Sequence, residues 1–158
     1  MAIALDQTAP DFELPSNIED GGRPGKKIKL SDYRGKPVVL AFYPLDFSPV
    51  CTTENGCFRD DFAAFSALGA QLLGISIDSV WSHSAFAKQL GLTFPLLADF
   101  HPKGAVASSY DVFLADKGIT KRATVLVDSH GKVAWTKEHV IGEARSNQEL
   151  LAALKALG

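Results

Sequence analysis

The chain has 158 residues, of which 46% are hydrophobic, and its formal net charge is −2 at neutral pH. This length and apolar content suffice for one domain with a full hydrophobic core, so we expect residues 1–158 to form a single domain. Acidic and basic residues are interspersed, and no run approaches the roughly 18 apolar residues of a membrane span. Nucleic acid and membranes are therefore not expected partners.

The first six residues lack the charged start and the long apolar core of an export signal. We therefore expect a cytoplasmic protein, in which structural disulfides are uncommon and cysteines more often serve catalysis or metal binding. The two cysteines, Cys51 and Cys57, cannot form a tetrahedral metal site alone, and none of the four histidines shows ligand spacing with them. We expect neither a metal nor a cofactor.

The first third of the chain predicts a hairpin followed by a buried strand. Residues 12–14 and 27–30 alternate apolar and polar side chains around a glycine-rich loop, which predicts an N-terminal β-hairpin. Ser31 suits the cap of a single helical turn that ends at Gly35. Residues 38–43 are continuously apolar, as in a strand covered on both faces of its sheet.

The rest of the chain alternates between helical and extended periodicity. Predicted helices cover residues 49–67, 80–90 and 101–109, and a final amphipathic helix follows a capping serine, Ser146. Predicted strands cover residues 72–77 and 94–97, and a hairpin covers 124–127 and 133–136. This order predicts an α/β protein with a mixed central sheet and helices on both faces. With the N-terminal hairpin, it is the layout of a thioredoxin-like fold.

Cys51 is the most informative residue of the chain. Ser48 suits the N-cap of the helix that follows the buried strand, and Pro49 suits its first position. Cys51 then lies in the first turn, where free N–H groups and the positive end of the helix dipole favour thiolate over thiol. A cysteine held as thiolate at neutral pH is a nucleophile, which makes Cys51 the candidate catalytic residue.

Pro44, Ser48 and Cys51 stand at fixed offsets, and Arg122, within KRATVLVD, opens a late strand. In this arrangement the sequence resembles the peroxiredoxins of the AhpC/TSA superfamily, whose signature is P-x-x-x-T-x-x-C, with serine here in place of threonine. The resemblance extends over TAPDFEL, LSDYRGKPVVLAFYPLDF, GISIDS and FPLLADF. The stretch FPLLADFHPKGAVASSYDVF is most similar to the AhpE-type branch, and CTTENGCFRD is similar to the bacterioferritin-comigratory-protein branch.

The resemblance implies a thiol-dependent peroxidase that reduces hydrogen peroxide and organic hydroperoxides. The Cys51 thiolate would become a sulfenic acid, and the Arg122 guanidinium would hold the thiolate and both peroxide oxygens. By the same resemblance, Glu54 anchors Arg122. The Ser48 hydroxyl would bind the sulfur or a bound oxygen, and Pro44 would shield the site from water.

Cys57 decides how the catalytic cycle closes. It lies six residues after Cys51, about 9 Å along a continuous helix. A disulfide needs Cα atoms about 4.4–6.8 Å apart, so an intact helix forbids the bond. The resemblance implies that local unwinding could bring the two sulfurs together, although the similar branch usually has its resolving cysteine five residues on. Two interpretations stay open: Cys57 resolves the sulfenic acid, or it is a small buried hydrophobe and an external thiol resolves it.

Two other functions are compatible with the same fold. A thiol–disulfide oxidoreductase of the thioredoxin type would need C-x-x-C, but Glu54 occupies the place of the second cysteine. A non-catalytic redox sensor would react slowly with peroxide. The expected partners are a peroxide substrate, a thioredoxin-like or low-molecular-weight thiol reductant, and a second copy in a possible homodimer. We expect His83 and His101 to pack or cap rather than to catalyse.

Overall fold

A computed structural model describes residues 3–143 and 146–157. Two antiparallel hairpins, one inside the other, form the start of the chain. Their strands are β1 (Glu13–Pro15), β2 (Glu19–Asp20), β3 (Arg23–Pro24) and β4 (Lys27–Lys29). Leu14 and Ile28 lie opposite each other in the β1–β4 ladder, and both are buried. The expected N-terminal hairpin is confirmed, and its apolar face packs on the core.

A single 3-10 turn, Leu30–Tyr33, joins this hairpin to the main sheet. The cap position is Lys29, so the expectation that Ser31 caps the turn is wrong. The backbone N–H of Ser31 instead donates to Asp11 Oδ1 at 3.0 Å, because the turn begins one residue earlier on the buried Leu30. Gly35 follows with a φ of +99°, a value that favours glycine.

The centre of the molecule is a five-stranded mixed sheet. Its strands are β5 (Val38–Phe42), β6 (Gln71–Ser76), β7 (Leu96–Ala98), β10 (Ala123–Val127) and β11 (Val133–Glu138), in the spatial order β11-β10-β5-β6-β7. The pairs β5–β6 and β6–β7 are parallel, whereas β10 runs antiparallel to β5 and β11. The mixed sheet is therefore confirmed. A further hairpin of two-residue strands, β8 (Phe113–Leu114) and β9 (Ile119–Thr120), was not expected.

The helices are α1 (Pro49–Asp60), α2 (Phe62–Ala67), α3 (Val80–Leu90), α4 (Ala105–Ser109) and α5 (Asn147–Leu157). The prediction of one continuous helix over 49–67 is wrong, because the helix is interrupted at Asp61. The Asp61 carboxylate accepts a hydrogen bond from Asn147 Nδ2 at 2.8 Å. Of the helix expected over 101–109, only Ala105–Ser109 is helical, as α4. The backbone N–H of Gln148 donates to Ser146 Oγ at 3.3 Å, which confirms the predicted cap of α5.

Alternation along β5 divides the core between the two faces of the sheet. Leu40 and Phe42 point to the face covered by the N-terminal hairpin and α4. Val39 and Ala41 point to the face covered by α1, α2, α3 and α5, and Cys51 is part of this second cluster. Within the described ranges, no helix is long and apolar enough to cross a membrane.

Candidate active site

Cys51 lies in the first turn of α1, where its side chain is 0% exposed. Ser48 occupies the N-cap position with extended backbone, and Pro49 is the first helical residue. The sulfur therefore lies at a buried helix N-terminus, in the same apolar cluster as Tyr43 and Phe58. The positive end of the helix dipole stabilises negative charge at this position, and burial limits its screening by water.

Arg122 is the cation that faces the sulfur. It directly precedes β10, which begins at the carboxyl end of β5, where Ala123 pairs with Phe42. This register brings Arg122 to the edge of the sheet from which α1 starts. The guanidinium is 1% exposed, and its Nη2 donates to Cys51 Sγ at 3.3 Å. A fixed cation at this distance stabilises negative charge that develops on or near the sulfur.

The remaining donors of Arg122 fix the orientation of its guanidinium. Nη1 donates to Glu54 Oε1 at 2.8 Å, and the Glu54 side chain is only 2% exposed. Nε and Nη2 both donate to the backbone carbonyl of Ile141, at 3.1 and 3.0 Å. Glu54 lies one turn after Cys51 in α1, so a single helix presents both the sulfur and the carboxylate to the same arginine. Planar Arg–carboxylate contacts of this kind hold the guanidinium in one geometry.

Pro44 and Ser48 belong to the loop that connects β5 to α1. Pro44 is buried, and it brings no N–H group into the site. Ser48 Oγ donates to the Leu45 carbonyl at 3.1 Å and accepts no hydrogen bond from a backbone N–H of the helix. The N-cap position of Ser48 is therefore as expected, whereas its hydroxyl holds the loop and keeps lone pairs available to a donor.

Cys57 has surroundings opposite to those of Cys51. It is exposed, so the interpretation that it is a small buried hydrophobe is wrong. Partial burial of the sulfur and then the nearby carboxylates of Asp61, Asp60 and Glu54 raise the pKa of the Cys57 thiol. Both cysteines are free, and α1 is continuous between them. The intact helix keeps the two sulfurs apart, as the spacing predicts.

A second polar cluster, to which sequence reasoning assigned no function, lies behind the same loop. Its members are Tyr43 and Asp46 from the loop, Ser76 and Asp78 near the end of β6, and Ser82 and His83 from α3. His83 is fully buried, as expected of a packing histidine, but it lies 2.8 Å from an Asp46 carboxylate oxygen. The sequence did contain one signal for this cluster, because Asp46 is a charged residue in a mostly apolar loop next to Cys51.

A buried cysteine that faces an arginine at a helix N-terminus, on a mixed sheet of this topology, defines a thiol-based oxidoreductase. Residues 5–136 match the AhpC/TSA family, and the chain belongs to that family. This membership confirms the resemblance on which the expected function rests.

Curated relatives and solved structures agree with the family match. Peroxiredoxin Bcp of Bacillus subtilis is 40% identical over 148 residues, which cover 89% of each chain. The mitochondrial thioredoxin-dependent peroxide reductase of Drosophila melanogaster is 36% identical, over 98% of this chain and 67% of the relative. The structure of Mycobacterium tuberculosis AhpC superposes with a TM-score of 0.88 at 30% identity, over 99% of this chain and 94% of its own. The protein is thus a thiol-dependent peroxidase with a thioredoxin-like fold.

Proposed function

We propose that Cys51 attacks the peroxide and that Arg122 stabilises the charge that moves during the attack. The contact of Arg122 Nη2 with Cys51 Sγ at 3.3 Å carries this proposal, because it joins the buried nucleophile to a fixed cation. The Glu54 carboxylate holds the same guanidinium at 2.8 Å. Since the guanidinium is oriented before substrate enters, little reorganisation is needed during the reaction.

The reaction begins with the Cys51 thiolate and the hydroperoxide oxygen that carries the proton. The thiolate forms an S–O bond to that oxygen while the O–O bond breaks. The departing oxygen leaves with the bonding electron pair and takes up a proton, which yields water or an alcohol. Sulfur is oxidised to the sulfenic acid and the peroxide is reduced.

The residues around Cys51 have distinct parts in this step. Arg122 donates to the attacking sulfur and to the oxygen that develops negative charge. The Ser48 hydroxyl, which belongs to the N-cap of the same helix, binds the peroxide through the lone pairs that the Leu45 contact leaves free. The buried Pro44 excludes water without offering a competing donor.

Cys57 then condenses with the sulfenic acid, forming the Cys51–Cys57 disulfide and releasing water. The bond requires α1 to unwind between the two residues, because an intact helix separates them by about 9 Å along its axis. The exposure of Cys57 supports this role, since an exposed thiol is free to move as the helix opens. If Cys57 does not reach the sulfenic acid, an external thiol takes its place.

A dithiol protein of the thioredoxin type is the reductant that we propose for the disulfide. The name of the Drosophila relative, a thioredoxin-dependent peroxide reductase, supports this choice. A low-molecular-weight thiol would serve the cycle without Cys57. A homodimer and a cytoplasmic location remain predictions.

The test is intact mass under non-reducing conditions after one equivalent of hydrogen peroxide. We expect the natural chain to lose about 2 Da within seconds, as two thiols become a disulfide. Cys57→Ser should instead gain about 16 Da as a sulfenic acid, or about 32 Da as a sulfinic acid. Cys51→Ser should show no rapid change.

The same spectra separate the alternatives. A gain of about 16 Da in the natural chain would assign resolution to an external thiol. Unimpaired thioredoxin-linked cycling of Cys57→Ser would contradict the resolving role. A rapid change in Cys51→Ser would remove Cys51 from the first step. Because no C-x-x-C is present, we expect no reduction of insulin disulfides.

A further inference from the structure

Asp46 and His83 meet behind the loop that leads from β5 into α1. We propose that they are positioning residues for the peroxide reaction: they share one proton, and that proton locks the loop carrying Pro44 and Ser48 beside Cys51. The inference rests on the proposed function, because the locked geometry affects the rate only if Cys51 is the residue that reacts.

Asp46 is the point at which the loop is fastened to the rest of the fold. The Tyr43 hydroxyl donates to Asp46 Oδ1 at 2.6 Å, and the Ser82 hydroxyl donates to Oδ2 at 2.8 Å. The backbone N–H of Asp46 donates to Asp78 Oδ2 at 2.9 Å. These contacts tie the loop to the segment after β6 and to the first turns of α3.

The hydrogen-bond geometry of His83 requires a proton between its ring and Asp46. Nε2 lies 3.0 Å from the Leu97 carbonyl oxygen, which can only accept, so Nε2 carries a proton. Nδ1 lies 2.8 Å from Asp46 Oδ2 and 3.4 Å from the Tyr43 hydroxyl, whose hydrogen is donated to Asp46 Oδ1. An unprotonated ring nitrogen and a carboxylate oxygen would present lone pairs to each other at this distance. One proton therefore lies between them, on the ring or on the carboxyl.

Two other titratable groups face the pair among the described residues, Tyr43 and Asp78. Burial and then the Asp46 carboxylate raise the pKa of Tyr43 well above its usual range, so its hydroxyl remains a donor. Burial and Asp46 also raise the pKa of Asp78, whose Oδ2 accepts from the Ser76 hydroxyl at 2.5 Å. Since the His83 side chain is fully buried, water does not replace a partner that the pair loses.

The same cluster has the ligand types of a metal site, since atoms of Asp46, Asp78 and His83 lie within 4.8 Å of one another. Both Asp46 oxygens and Oδ2 of Asp78 already accept hydrogen bonds from this chain. The donors of the chain itself thus satisfy the oxygens that face the cluster. A shared proton accounts for the remaining contact, between His83 Nδ1 and Asp46 Oδ2.

Phe47 connects the Asp46–His83 contact to the reaction site, because it lies between Asp46 and Ser48. Phe47 has a φ of +66°, a left-handed conformation that is unfavourable for a side chain of this size and persists only where its surroundings hold it. Asp46 anchors the backbone on one side of Phe47. The Phe47 ring packs edge-on against Phe86 of α3, with ring centroids 5.1 Å apart. When the Asp46 contact is lost, the backbone at Phe47 relaxes and turns the next residue, Ser48, away from Cys51.

The test is the rate constant for oxidation of Cys51 by hydrogen peroxide in a single turnover, from about pH 5 to about pH 10. In the natural chain the rate should fall about tenfold or more on the alkaline side as the pair loses its proton, since ångström-scale misplacement has effects of this size. Asp46→Asn should abolish the alkaline fall, because its amide donates to Nδ1 and its oxygen accepts from Tyr43. A fall should arise in acid instead, where a protonated ring can no longer accept that amide hydrogen.

His83→Asn is the second variant, because its amide offers Asp46 a hydrogen that cannot dissociate, and it should also lack the alkaline fall. His83→Leu donates nothing and should be about tenfold slower or more at every pH. Circular dichroism at each pH separates these effects from unfolding. An alkaline fall that persists in both amide variants overturns the inference, as does its absence from the natural chain. If Cys51 is not oxidised rapidly at any pH in the natural chain or in any variant, the proposed function fails as well. Failure of this inference alone is therefore distinguishable from failure of the proposed function.

Discussion

Arg122 and Glu54 form a buried ion pair whose value lies in orientation more than in stability. Removing two charges from water costs several kcal/mol for each ion, and a buried pair recovers this only with good geometry. Here the guanidinium has a carboxylate, a carbonyl and the sulfur as acceptors. The pair therefore keeps one N–H group directed at Cys51, which a mobile surface arginine would not do.

Arg122→Lys should slow the reaction of Cys51 with peroxide by about 10²-fold or more. The ammonium group keeps the charge but cannot donate to the sulfur, Glu54 and the peroxide from one planar group.

Glu54→Gln should slow the same reaction by about tenfold, because its amide oxygen still accepts from Nη1 while the charge that strengthens this bond is lost. Single-turnover oxidation followed by mass measures both effects.

Arg34→Lys is the matched control for the arginine change, since Arg34 is exposed and precedes β5 at the end of the strand away from Cys51. It should react at the rate of the natural chain. An Arg122→Lys rate within twofold of the control would contradict the role assigned to the guanidinium.

At the residue scale, the sequence predicted the position of the candidate nucleophile better than the positions of the residues that support it. Ser48, Pro49 and Cys51 are neighbours along the chain, so local helix chemistry places them without knowledge of the fold. Asp46 and His83 are 37 residues apart. Their contact depends on the parallel pairing of β5 with β6, which aligns the two segments that follow these strands, and periodicity alone cannot supply that register.

The helix α1 has two tasks that conflict. It is intact where it presents Cys51 to Arg122, and the proposed resolution by Cys57 requires it to open. Its carboxyl end is held by Arg59 Nη1, which donates to the Leu90 carbonyl at 2.7 Å, and by the contact of Asp61 with Asn147. These contacts determine how much free energy the opening requires.

Asn147→Ala should speed disulfide formation by roughly threefold to tenfold, because it removes a hydrogen bond to a charged group that opposes opening of α1. The substitution leaves every charge near Cys57 in place. The rate of the 2 Da loss after oxidation measures the effect. Less sulfinic acid should also form at excess peroxide, since faster resolution competes with a second oxidation.

Gln148→Ala is the control, as it alters the exposed neighbour in the same turn of α5. It should resolve at the rate of the natural chain. An unchanged rate in Asn147→Ala would mean that α1 opens without moving Asp61.

At the element scale, long periodic segments were predictable and short irregular ones were not. The strands β5 and β6 are buried on both faces, and their continuous apolar runs identify them. The break at Asp61 falls within a regular phenylalanine spacing, with Phe58 and Phe65 both still buried, so periodicity continues through it. The strands β8 and β9 have two residues each, too few to show any period.

The molecule as a whole divides into a stable sheet and a helix that can open against it. The ladders between β5, β6 and β10 are internal to the sheet and do not pass through α1. Opening of α1 therefore exposes part of one apolar cluster and leaves the backbone hydrogen bonds of the sheet in place. Local opening of this kind requires less free energy than global unfolding.

Oxidation of the natural chain should raise amide hydrogen exchange within residues 49–60 while the five-stranded sheet stays protected. The disulfide is compatible only with an unwound segment between its two cysteines, so their helical hydrogen bonds must break. Exchange measured by mass spectrometry on reduced and oxidised protein tests this expectation.

Cys57→Ser is the control, because its oxidised form has no disulfide to hold the helix open. Its exchange within α1 should change little on oxidation. Protection of α1 in the disulfide form of the natural chain would show that the bond forms by a rearrangement other than unwinding.

The complete burial of Cys51 also separates the two halves of the cycle by molecular size. Hydrogen peroxide has two heavy atoms and needs far less room to reach the buried sulfur than a folded protein thiol does. Exposed Cys57 lies where a large partner can dock. In the proposed cycle, oxidising equivalents therefore enter at a buried sulfur and reducing equivalents at an exposed one, so a protein reductant would act only after the oxidation has moved from Cys51 to Cys57.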